Sequence, residues 1–234
     1  MKGTLALLGL SIAVGCGPDV GPSNPEDQVK VFANELSKPA DLLPLSSGNA
    51  WTYTLRSVVR NQQGQAQEAT ATPTLKVSGM NGEKATISFV NENKLVSELN
   101  FLRTEHGIVQ IGLKGAGQPS RSFTPALPLY HWPMEVGEKR EWSGNGYRSG
   151  LGDDGPMTST LEYKGESEVD TPAGRMKAHR FDSLTKYKKD AAEFGSTTSI
   201  WLVPKVGIVR NVEVVVGPQT IRETELKLQS FTVK

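Results

Sequence analysis

The side chains able to carry nucleophilic or metal chemistry are few: one thiol, Cys16, and three imidazoles, His106, His131 and His179. No two histidines fall in a local pattern such as His-x-x-x-His, and no further cysteine can join them, so no metal site is expected. A Gly-x-Ser-x-Gly elbow is absent. Asp170-Thr171-Pro172 has proline where the Asp-Thr-Gly of aspartic proteases needs glycine, and it occurs once. Asp153-Asp154-Gly155 offers two carboxylates but lacks the alternating oxygen ligands and distal glutamate of a calcium loop. Gly112, Gly115 and Gly117 open no helix, so they cannot cradle a dinucleotide. Lys186-Tyr187-Lys188-Lys189 is answered by Asp190 and Glu193, as in a charged hairpin tip. No catalytic residue and no cofactor are expected; a hydrolase built from scattered His, Asp and Glu residues is the enzymatic alternative.

One aromatic cluster could serve a ligand. Tyr130, Trp132, Trp142 and Tyr147 lie close together in sequence, joined by Pro128, Pro133 and Met134. They read either as core or as the lining of a barrel mouth open to an apolar or carbohydrate ligand, because ligand sites are concave and mostly apolar.

The elements that would position them are strands. From Trp51 onward apolar and polar residues alternate with period two, in a composition rich in Thr, Val, Ser and Ile. Trp51-Thr52-Tyr53-Thr54-Leu55 and Ala85-Thr86-Ile87-Ser88-Phe89 are examples. Turn signals separate the strands, and Asn81-Gly82 is the strongest hairpin signal. Short connections cannot join parallel neighbours, so the pairing is antiparallel. The expected fold is all-β: a curved antiparallel sheet or half-barrel over residues 39–234, preceded by one short amphipathic helix over 25–38. That helix opens at Asn24-Pro25-Glu26-Asp27, presents Val29, Phe32, Ala33 and Leu36 on one face, and plugs the domain's end.

A Pro, Gly and Trp spacing recurs in Pro44, Gly48, Trp51 and in Pro133, Gly137, Trp142. It raises two similar meander halves, 39–124 and 125–234, with coincidence as the rival explanation.

The N-terminus fixes location. Met1-Lys2 precedes 13 apolar or small residues, which end in Ala13-Val14-Gly15 just before Cys16. A membrane span needs roughly 20 apolar residues, so residues 1–15 form a removable targeting segment. It resembles a bacterial lipoprotein signal peptide with its lipobox. The resemblance implies cleavage before Cys16, diacylglycerol on its sulfur and acylation of the new amino group, two or three chains being enough for stable anchoring. Gly17 after the cysteine implies the outer rather than the inner membrane. Residues 16–24 carry the lipid and a Gly/Pro-rich tether. The remaining chain balances 25 basic against 25 acidic residues, so no nucleic-acid partner is expected.

Leu43-Pro44-Leu45, Trp51-Thr52-Tyr53, Leu127-Pro128-Leu129, Thr171-Pro172-Ala173-Gly174 and Trp201-Leu202-Val203-Pro204-Lys205-Val206-Gly207-Ile208-Val209 occur in this order. In this they resemble uncharacterised bacterial secreted and lipoprotein families with a DUF3108-like pattern. The resemblance implies a curved antiparallel sheet and supplies no activity. The expected role is a lipid-anchored envelope protein with a non-enzymatic binding or scaffolding domain, for an apolar ligand in the sheet's concavity. A protein-interaction subunit of an envelope assembly, working through an exposed sheet edge, is the other alternative.

Overall fold

The computed structural model describes residues 39–234. The targeting segment, Cys16, the tether and the helix expected over 25–38 lie outside the described residues. A short 3-10 turn, Pro39–Leu42, leads into thirteen strands: β1 Ala50–Asn61, β2 Ala66–Ala71, β3 Thr74–Asn81, β4 Lys84–Asn91, β5 Lys94–Thr104, β6 Gly107–Gly115, β7 Arg121–His131, β8 Lys139–Arg148, β9 Asp153–Thr171, β10 Gly174–Lys189, β11 Ala192–Val203, β12 Gly207–Val216 and β13 Thr220–Thr232. All neighbouring pairs are antiparallel, as the short connections require. The Asn81-Gly82 hairpin joins β3 to β4, and the Thr-Pro-Ala-Gly turn joins β9 to β10.

The sheet does not stop as a half-barrel. β13 pairs with β1 along the whole of β1, from Ala50 opposite Thr232 to Asn61 opposite Thr220, and this closes the ring. The start of β1 also pairs with β3, and its second half with β2. Strands β2 and β3, parted at Thr72-Pro73, therefore share one position, and the barrel has twelve. Closure joins strands from opposite ends of the chain, which no local pattern announces. Bulges between Thr52 and Tyr53, Asn100 and Phe101, and Trp201 and Leu202 supply the bending that a closed wall needs.

One end is filled. Leu42, Leu43 and Leu45 are buried under the 3-10 turn with Trp51, Ile108, Tyr130 and Leu202. The Trp51 indole N–H donates to the Val206 carbonyl, and an Arg103 N–H donates to the Leu45 carbonyl. Gly207 is required here: its φ is 104°, and an added Cβ would meet the Trp51 ring at 3.2 Å and Leu43 at 3.1 Å. A second apolar cluster, Phe123, Trp142, Met157 and Tyr187, lies toward the other end, where β7 meets β8.

That junction is the thinnest seam in the wall. β7 and β8 share only the Thr124–Asn145 register pair, and Pro125 and Pro128 in β7 cannot donate to a ladder. Side-chain packing replaces the missing bonds. The Phe123 ring sits so close to Gly146 that a Cβ there would lie 2.2 Å from it.

The outer wall is charged. Arg56 pairs with Glu68 at 2.8 Å, Arg210 with Glu225 at 2.7 Å and Arg180 with Asp182 at 2.8 Å. The guanidinium groups of Arg180 and Arg210 lie over the Trp201 ring at 4.9 and 4.7 Å. Strand-built membrane barrels carry an apolar outer band, and this barrel has the opposite polarity. No helix among the described residues is long and apolar enough to cross a membrane.

Candidate functional site

A twelve-position ring encloses more space than its own side chains fill, since eight strands already suffice for a packed interior or one small ligand. The lumen leaves a cavity of about 700 Å3, within the roughly 300–1,000 Å3 range of small-molecule sites. Leu43 and Tyr53 mark its closed floor. Tyr147, Ser149 and Arg222 lie toward the mouth, which the turn after β8 partly bridges by reaching Tyr187 and Gly217.

The lumen has two unlike walls. Strands β3 to β7 contribute Leu75, Ile87, Phe89, Leu99, Phe101 and Leu129, with Ser97 and Gln110 as polar exceptions. Strands β9 to β13 and β1 contribute stacked rungs that the register fixes. Nearest the floor are Leu55, Leu226, Asn211, Ile200 and Phe181, successive cross-strand partners. The next rung is polar: Ser57, Thr224, Glu213, Thr198 and Ser183. Above it lie Arg222, Val215, Ser196, Thr185 and Ser159.

Glu213 and Arg222 are the charged residues of this lining, and they sit diagonally across the β12–β13 ladder. Arg222 Nη2 lies 3.6 Å from Glu213 Oε2, too far for a hydrogen bond. Burial within the wall pushes the Glu213 carboxyl above its ordinary value, and Arg222 draws it back in part. The hydroxyls of the rungs pair loosely: Ser159 with Thr185 at 3.1 Å and Ser57 with Thr224 at 3.5 Å. Most can still turn toward an occupant.

Of the four aromatic residues expected to line a ligand site, Tyr147 faces the lumen, with the Arg121 guanidinium 4.8 Å from its ring centre. Tyr130 is sealed into the floor against Phe181. Trp132 packs at the filled end, edge-on to Tyr163 and His179 at 5.6 and 5.0 Å. Trp142 belongs to the seam, where its indole N–H donates to the Ala126 carbonyl at 3.0 Å. Close spacing in sequence does not gather these residues at one site, because Tyr130 and Trp132 pack at the filled end and Trp142 and Tyr147 in the cluster toward the other. Sequence reasoning missed Glu213, Arg222 and the hydroxyl rungs.

The histidines gather at the filled end. The rings of His106 and His131 are 5.0 Å apart, and burial, then Arg140 and His106, hold His131 below its usual value. His179 Nδ1 and the Tyr163 hydroxyl share a 2.8 Å hydrogen bond. Burial lowers its basicity, so it stays neutral, although Glu166 lies 3.7 Å from Nε2. Burial pushes Tyr163 up to about 12. A neutral histidine holding an un-ionised tyrosine is structural polar packing, and none of these rings lines the lumen. Among the described residues no three His, Cys, Asp or Glu side chains converge as a metal site would need.

No protein-family model and no curated protein matches the chain. Among solved structures it is similar to a candidate lipoprotein of Parabacteroides distasonis, at 13% identity and a TM-score of 0.44, over 82% of this chain and 98% of that one. It is also similar to a candidate exported protein with a YmcC-like fold from Bacteroides fragilis, at 12% identity and a TM-score of 0.43, over 81% and 98%. A third is the hypothetical lipoprotein YmcC of Escherichia coli, at 10% identity and a TM-score of 0.35, over 74% and 83%. The likeness to the DUF3108-like families rests on the sequence motifs alone.

Proposed function

We propose that this chain is a lipid-anchored bacterial envelope protein that holds an apolar ligand in the lumen of its barrel, with no catalytic step. The observation that carries the reading is the lumen: about 700 Å3, filled at one end, bridged at the other where the turn after β8 meets Tyr187 and Gly217, and lined over half its circumference by aliphatic and aromatic side chains. An unfilled apolar space inside a folded protein forgoes both packing and transfer energy. An acyl-like guest recovers it, at about 0.8 kcal/mol for each methylene buried. The charged outer wall suits a domain standing in water beside the membrane rather than in it, and Cys16 on its Gly/Pro-rich tether supplies the attachment. Gly17 in place of an aspartate after the cysteine favours the outer membrane.

Native mass spectrometry tests the ligand reading. The full mature chain, carrying Cys16→Ser so that no anchor lipid competes, is purified from its host's envelope. A bound species of discrete mass, released by denaturation, is expected; bare protein in every preparation would overturn the reading. Fatty-acid labelling tests the anchor, since Cys16→Ser should abolish the label and leave the membrane fraction.

One observation favours the interaction module. Among the described residues β2 pairs with β1 alone, leaving its other edge for an added strand. It offers six residues, and Glu68 on it is already engaged by Arg56. Ligand binding in the lumen remains the function the geometry supports best.

A further inference from the structure

Resting on the lumen-binding reading, we infer that the guest is a single-chain amphiphile with an uncharged, hydroxyl-bearing head, of the monoacylglycerol class, held with its head against Glu213 and Arg222 and its chain toward the floor. The inference starts from charge. Glu213 and Arg222 are the charged side chains of the lining, and they cancel. A carboxylate head would leave the site with an excess negative charge, and an ammonium head an excess positive one. Each would upset a pair that is already balanced, although Arg222 is half exposed and solvent softens the cost. A neutral head adds no charge.

Geometry then selects hydroxyls. At 3.6 Å the two charged groups attract without sharing a hydrogen bond. The carboxylate therefore keeps acceptor capacity and the guanidinium keeps donors. A vicinal diol can donate one O–H to Glu213 and accept from Arg222 with its other oxygen, filling both at once. Around them the rung of Ser57, Thr224, Thr198 and Ser183 supplies groups that donate or accept as needed. Next toward the floor come Leu55, Leu226, Ile200 and Phe181, with Leu99 and Leu129 lining the opposite side. From mouth to floor the polar wall thus runs Arg222, then Glu213 within the hydroxyl rung, then hydrocarbon, which places the glycerol of a monoacylglycerol at the polar rungs when its chain enters first. A site built to hydrogen-bond a hydroxyl discriminates strongly against an analogue that lacks it, because the site's own polar groups are left unpaired.

The test is titration calorimetry on the full mature chain carrying Cys16→Ser, with three probes of equal chain length near neutral pH: a 1-monoacylglycerol, the free fatty acid and the alkylamine. The monoacylglycerol should bind at least tenfold more tightly than either charged probe. Lengthening its chain by two carbons should gain about another tenfold. The double variant Glu213→Leu, Arg222→Leu should lose that preference while still binding. Because buried leucines could disturb the fold, Thr198→Val serves as a milder second variant and should weaken the monoacylglycerol several-fold. If the fatty acid or the amine binds as tightly as the monoacylglycerol, or the double variant keeps the preference, the head-group inference falls and the lumen reading stands. If no probe binds at any chain length, both fall.

Discussion

The two walls of the lumen are built from the same kind of strand and serve opposite ends. Strands β4 and β5 present Ile87, Phe89, Leu99 and Phe101 inward, side chains that belong to the main core or pack against it. Strands β10 to β13 present Ser183, Thr198, Glu213 and Thr224 at comparable depth, and these contribute little to packing. The first wall supports the fold and offers a hydrocarbon surface. The second is a polar surface carried inside a barrel, which folding alone does not ask for. Polar groups turned inward cost stability unless they are satisfied, so the asymmetry points to an occupant rather than to packing.

The largest difference between the walls is expected in stability. Phe101 is 4% exposed, and Phe101→Ala should destabilise the protein by about 3–5 kcal/mol, read by urea denaturation. Thr198→Val on the polar wall should change stability by less than about 0.5 kcal/mol, although it weakens the head-group site. Equal losses at the two positions would mean that both walls are ordinary core. A smaller effect is expected where the walls meet. In Gly146→Ala the new methyl meets Phe123 at the β7–β8 seam, and overpacking of this kind costs about 1–3 kcal/mol, measurable as a lower Tm. The smallest effect concerns Glu213. Its folded carboxyl titrates above the ordinary 4.5, so between the unfolded and folded values the native state holds more protons than the unfolded chain. Stability therefore falls as pH rises through that window. Glu213→Gln should remove this fall, so that its Tm relative to the parent rises from acid to neutral pH. A constant difference across the range would mean that the carboxyl is ordinary.

Local features of this fold were legible in the sequence. The alternation at Trp51-Thr52-Tyr53 gives β1, Asn81-Gly82 turns β3 into β4, and the glycine of the Trp-Leu-Val-Pro-Lys-Val-Gly stretch sits at positive φ against Trp51. Closure was not legible, because it depends on β13 meeting β1 across the length of the domain and on bulges that leave no residue signature. The polar wall stayed hidden for a different reason. In β12, Val209, Val212, Val214 and Val215 occupy both parities, so alternation does not say which side Glu213 faces. The aromatic cluster was visible as composition, yet the sequence did not show that Trp142 and Tyr147 pack in the cluster beside the seam while Tyr130 is sealed into the floor.

Intermolecular NOEs between 1-monolauroylglycerol and the methyl- and threonine-labelled mature chain locate the guest. Contacts are expected from the acyl chain's terminal methyl to Leu99 and Leu129, and from the glycerol protons to Thr198 and Thr224. Contacts confined to the outer wall, or glycerol protons beside Leu129 with the chain at the mouth, would contradict this placement.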